Sequence, residues 1–171
     1  MKIKQPQYNP TLKSAFIFIT LLIIVCLCLY PLPVREKLIN PFVRVICEQA
    51  SYLINLFGTD VFSRDTIIIG SGFSVDVKDG CNAVYEISLF ICAVLAYPSR
   101  LKYKLLGIAC GSLIIYLFNL IRIVVLYMTG KYYNNIFKMV HDHVSQSLFI
   151  FLVVVLWLLW ASGAKKSTIT D

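Results

Sequence analysis

Four stretches of this chain are apolar for long enough to cross a bilayer, and nothing else in it limits the fold so strongly. A membrane helix needs about 20 apolar residues, with about 17–25 typical. The stretches are 14–30, closed by "PLP"; 82–97, closed by Pro98; 105–128, closed by Gly130; and 144–161, closed by Gly163. Their flanks carry Tyr97, Tyr103, Tyr127, Trp157 and Trp160, rings suited to the bilayer interface. The 171 residues are 58% hydrophobic and 15% charged, against about 45–50% and about 25% in soluble domains. The expectation is an all-α integral membrane protein: one domain over 1–171 with about four transmembrane helices. The basic, then apolar, N-terminus resembles a signal peptide but lacks a small-x-small cleavage site before Pro31, so an uncleaved anchor is expected.

The net charge of +7 follows this topology. Lys2, Lys4, Lys13, Arg100, Lys102, Lys104, Lys165 and Lys166 fall on one side, where Asp171 is the sole acid. Lys/Arg bias of this kind marks the cytoplasmic face. Both termini are therefore expected inside, and 35–80 outside. No basic run is interleaved with exposed aromatics, so nucleic acid is not an expected partner.

The outer segment has its own organisation. "NPFVRVICEQASYLINLFG" reads as an amphipathic helix, with Asn40 as cap, Pro41 in the first turn and Gly58 as stop. Arg44, Glu48, Ser51 and Asn55 form a polar stripe, and Arg44 and Glu48 are spaced as an i,i+4 pair. Downstream, Phe73, Val75 and Val77 alternate with polar residues, and Gly70-Ser71-Gly72 is a turn. A small β-hairpin, 66–69 with 73–77, is expected. It leads directly to Cys81.

Ionisable residues within membrane spans are functional candidates, because charge is costly there. Cys81 opens the second span, Glu86 and Arg122 lie within the second and third, and His141 and His143 precede the fourth. Asp79 or Asn82 can cap the second span, and a helix start beside a cation favours thiolate. A histidine can take the thiol proton and return it to a leaving amine. Arg122 stays protonated, so it suits an oxyanion or substrate clamp. Other readings stand beside this one. Cys81 can pair with Cys47 in a disulfide, Arg122 can neutralise Glu86 in a non-enzymatic transporter or assembly factor, and "HDH" can hold a metal.

"DGCNAVYEISLF", "NLIRIVVLY" and "FKMVHDHVSQSLFIF" together resemble the exosortase/archaeosortase family of membrane transpeptidases, over roughly residues 30 to 160. The short length, the early helix and the hairpin are similar to the compact H-type exosortases. The resemblance implies Cys81 as nucleophile, Arg122 within Asn119-x-x-Arg122 as the family arginine, and His141 as general acid/base, with His143 the alternative. It implies a bacterial inner-membrane thiol protease that cleaves the C-terminal sorting signal of exported proteins at the outer face. That signal is a motif, a transmembrane helix and a basic tail, and the product passes to a surface acceptor. No cofactor or metal is implied. The chain departs from the family at Ala83, where glycine is common.

Overall fold

The computed structural model describes residues 10–77 and 81–169; Asp79, one of the two expected caps, lies outside them. The helices are α1 (Pro10–Leu29), α2 (Leu32–Val34), α3 (Asn40–Leu56), α4 (Val84–Ala96), α5 (Leu101–Tyr132), α6 (Asn134–Met139) and α7 (Gln146–Ile169). Three antiparallel strands, β1 (Val61–Arg64), β2 (Ile67–Gly70) and β3 (Phe73–Asp76), lie between α3 and α4 in the order β1-β2-β3.

Among the described residues, three helical stretches are long and apolar enough to span a membrane: Leu12–Leu29, Leu101–Tyr132 and Asn134–Lys165. The expected second span is shorter than the hydropathy suggests. α4 has 13 residues, about 20 Å at 1.5 Å per residue, against a hydrocarbon core of about 30 Å. Residues 81–83 are taken up by the turn before it, and Pro98 blocks extension at the other end. The later helices overrun their expected ends. Gly130 does not stop α5, and Gly163 does not stop α7.

α3 forms where expected, but Asn40 does not cap it. Helix already runs through α2 and a π-turn at Arg35–Ile39, closed by Asn40 N–H to the Arg35 carbonyl. Pro41 explains the wide turn: its ring crowds the carbonyl four residues back and it has no N–H to give. Gly58, at φ +74°, ends the helix as expected. Of the polar stripe, Ser51 faces the core at 5% exposure, and Arg44 pairs with Asp65 at 2.8 Å. Asn55 donates to the Val61 carbonyl and accepts from its N–H.

That contact anchors a strand absent from the expected hairpin. β1 reads Val-Phe-Ser-Arg, without clean alternation; it pairs along its length with β2, and Asn55 holds its first residue. β2 and β3 pair as expected, with Gly70 opposite Phe73 across a turn containing Gly72 at φ +83°. A Cβ on Gly130 would lie 2.0 Å from the Phe73 ring. The missing side chain lets the sheet seat on α5, where Phe73 makes an edge-on contact with Tyr127, and a second with Phe137 of α6.

Buried apolar side chains form two clusters. One joins α3, the sheet and the last turns of α5, through Ile46, Ile54, Ile68, Ile123 and Tyr127, and includes Cys81. The other joins α4, α5 and α7 through Phe90, Ile115, Phe149 and Val153, and includes Ala83. The short turn from Cys81 to Ala83 therefore sits on the seam between them.

Candidate active site

Cys81 sits in the turn ahead of α4, 7% exposed. Ala83 is the N-cap, at φ +60° and ψ 1°, and is fully buried. An alanine in the left-handed region is strained by about 1–2 kcal/mol. The Asn82 side chain accepts from Val84 N–H at 3.1 Å, and the Ala83 carbonyl accepts from Ile87 N–H at 2.9 Å. Together these bonds fold the turn tightly against the helix start. Glycine would take this conformation freely, which gives a physical sense to the departure at this position.

α5 supplies two side chains one turn apart on the same face. Buried Asn119 donates from Nδ2 to the Cys81 carbonyl at 3.0 Å. Arg122 reaches the Cys81 sulfur with Nη2 at 3.7 Å and donates from Nε to Ser145 Oγ. Its guanidinium also lies 5.1 Å over the Phe149 ring, a cation–π contact. An i,i+3 spacing thus lets one helix grip the cysteine by its backbone and by its sulfur.

The third component comes from the π-turn at Val140–Ser145, which joins α6 to α7. His141 Nε2 lies 3.1 Å from Cys81 Sγ. Its Nδ1 lies 2.8 Å from Asp142 Oδ1. With Nδ1–H given to the carboxylate, Nε2 is left free to accept from the thiol. Phe137, one turn earlier, packs its ring 5.6 Å from the imidazole. His143 is exposed. Two residues along a helix turn through roughly 200°, so only one of the pair can face Cys81. Of the expected residues, Cys81, Arg122 and His141 are brought together, and His143 is not.

Asn119 and Asp142 were not among the expected site residues. Asn119 was legible only as part of Asn119-x-x-Arg122. Asp142 had the signal of a carboxylate inside "HDH". The alternative pairings fare differently. Cys47 and Cys81 are both free thiols. Glu86 is 8% exposed, and among the described residues its Oε2 has no hydrogen-bond partner. Among the described residues, the guanidinium contacts Cys81, Ser145 and Phe149.

The electrostatics correct one expectation. Burial pushes the Cys81 thiol above its ordinary range; Arg122 pulls it down, and Glu86 and Asp142 push it up. The sulfur lies before the N-cap rather than in the first turn, and loss of solvent outweighs the cation. His141 Nε2 stands in contact with this sulfur.

The chain matches the family model for transmembrane exosortase (Exosortase_EpsH) over residues 11–160. It is a member of the exosortase family. No curated protein and no solved structure gives a significant match. Exosortase membership points to a transmembrane sorting transpeptidase acting on exported proteins that carry sorting signals. With its long apolar helices, this exosortase is a multi-pass membrane protein.

Proposed function

We propose that this exosortase, of the short H-type, is a cysteine transpeptidase. It cleaves the C-terminal sorting signal of exported proteins at the outer face of the bacterial cytoplasmic membrane. The observation that carries the reading is the convergence of His141 and Arg122 on the Cys81 sulfur, at 3.1 Å and 3.7 Å.

Cys81 Sγ attacks the scissile carbonyl as its proton passes to His141 Nε2. The S–C bond forms, and the carbonyl electron pair moves onto oxygen beside the Arg122 guanidinium. When the tetrahedral centre collapses, the C–N bond breaks and His141 gives its proton to the leaving amine. A thioacyl enzyme remains. An acceptor amine then attacks the same carbon, its proton passes to Nε2, and the S–C bond breaks to return a thiol. Asp142 holds the imidazole in the required tautomer, and Asn119 holds the Cys81 backbone still. Burial of the sulfur favours this coupled proton transfer over a standing ion pair.

The charge bias supports a topology in which both termini are cytoplasmic. α4 then completes a fourth, thinner crossing, with α3 lying as an amphipathic element beneath the outer sheet. The substrate's own transmembrane helix lies alongside the bundle, with its motif level with Cys81.

The test is cleavage of a tailed reporter in membranes at matched enzyme abundance. Cys81→Ala abolishes cleavage. His141→Ala lowers it by about 10²–10⁴-fold, the usual range for a general base, while His143→Ala leaves it near wild type. Arg122→Lys fails to restore the roughly 10²–10³-fold loss of Arg122→Ala, because an ammonium lacks the planar fork. Continued cleavage by Cys81→Ala overturns the proposal.

A further inference from the structure

The two edges of the sheet are not alike. Val77 N–H donates to the Thr66 carbonyl at 2.8 Å, which fixes the parity of the ladder between β2 and β3. Phe73 and Val75 turn their main-chain groups toward β2, and Ser74 and Asp76 turn theirs away from it. At the opposite edge the same alternation turns Val61 outward from β1, and the Asn55 side chain of α3 bonds both of its main-chain groups. That edge is closed. Ser74 is exposed, and among the described residues no hydrogen bond reaches its main chain. Proteins normally cover or blunt a strand edge, because its unmet N–H and C=O groups are a template for another chain.

The open edge runs into the candidate active site. A recess of about 10 Å³ is bounded by residues 75–77, by Ile123 and Leu126 of α5, and by Cys81 and His141. No residue of β1 or β2 lines it, which puts it off the unpaired side of β3. A space of that size holds about one water-sized group. It admits a carbonyl oxygen and not a side chain. What reaches Cys81 there is therefore main chain, and the rest of the peptide lies along the rim that β3 forms. Ring contacts from Phe73 to Phe137, and from Phe137 to His141, tie this strand to the turn that carries the histidine.

We infer that the exported protein docks its sorting motif as an added strand on the open edge of β3, exchanging main-chain hydrogen bonds with Ser74, so that the scissile carbonyl enters the recess at Cys81. The inference rests on the transpeptidase reading above and names how that site holds its substrate. Strand addition draws affinity from the main chain and leaves specificity to alternate side chains. From Ser74 to Val77 is about 10 Å of strand, so the motif residue beside Ser74 lies roughly two or three residues from the cleaved bond. A helical motif cannot make these bonds, because its main-chain groups are already spent within the helix. The motif is therefore extended where it meets the enzyme, and the apolar helix of the substrate lies outside the paired segment.

The test joins disulfide trapping to cleavage of the tailed reporter in membranes. In a Cys81→Ala background, Ser74→Cys is combined with a reporter carrying one cysteine, moved residue by residue along both sides of the cleaved bond. Trapping peaks at alternate positions, since every second side chain of a strand shares a face. Trapping at no position, or equally at all, overturns the inference. A Ser74→Cys homodimer in place of the reporter adduct puts a second copy of the chain on the edge and overturns it too. In the enzyme with Cys81 intact, Ser74→Pro removes the outward N–H and spares the ladder to β2, a substitution that edge strands tolerate. Cleavage at limiting reporter and matched abundance falls roughly tenfold, the scale of a lost hydrogen bond and its unmet partner. Ser63→Pro, at an outward position on β1, leaves the rate at the wild-type level. Equal rates in Ser74→Pro and wild type overturn the inference, and trapping alone decides it if Ser74→Pro does not accumulate. Cleavage by Cys81→Ala sinks the transpeptidase reading itself, whereas cleavage that needs Cys81 but shows no trapping at Ser74→Cys sinks only the added strand.

Discussion

Cys81 differs from an ordinary reactive thiol in the balance of forces on it. Burial raises its pKa while Arg122 lowers it, so its alkylation rate climbs through the alkaline range with no plateau near neutral pH. Arg122→Gln removes the lowering influence and shifts the profile to still higher pH. Iodoacetamide labelling of the membrane protein across pH checks both; a flat neutral plateau would indicate a standing thiolate instead. Cys47, fully buried and pushed up to about 12 by that burial, with Asp76 and Glu48 adding to it, stays unlabelled under the same conditions. Ala83 sets the second prediction. Its left-handed backbone is free to glycine, so Ala83→Gly retains cleavage. Ala83→Val forces a β-branched residue into that region and moves the sulfur off His141. A displacement of about 1 Å in such a site costs on the order of 10²-fold, measured as reporter cleavage at matched abundance.

Among the elements, the sheet depends on its seat against α5. Gly130→Ala places a methyl inside the space of the Phe73 ring, and overpacking of this kind costs about 1–3 kcal/mol. The melting temperature in detergent falls, and Phe73→Leu in the same chain recovers part of the loss. A fall of equal size in Gly130→Ala and in the double variant would show that the ring is not the cause. The elements also show where sequence reading succeeds and fails. α3 and β3 were legible because their apolar periodicity matches their own geometry, and β2 because the Gly70-Ser71-Gly72 turn joins it to β3. β1 was not, because its residues do not alternate and it is held by its ladder to β2 and by Asn55 at Val61. Gly130 and Gly163 read as stops, yet both lie inside helices, since a glycine in a helix interior costs only about 1 kcal/mol.

For the whole molecule, the charge bias predicts sidedness. A membrane-impermeant maleimide added to intact spheroplasts at alkaline pH labels Cys81, and a prior permeant block with the small reagent iodoacetamide abolishes that signal. Labelling that requires opened vesicles would place the site on the cytoplasmic face and reverse the topology.

The amino-acid sequence by itself determined that this chain is a multi-pass helical membrane protein. Hydropathy and charge act locally and additively along a helix, so they survive without knowledge of any partner. It also supplied the three stretches, each carrying a polar group out of place, from which the site is assembled. Only the tertiary structure decided how these meet. It selected His141 over His143, gave Asn119 the Cys81 backbone and Arg122 the sulfur, and set Ala83 in a strained turn. Those outcomes depend on helix phase, on the widened turn at Val140–Ser145 and on the depth of burial. Each is a relation between segments distant in the chain, and no local pattern encodes it.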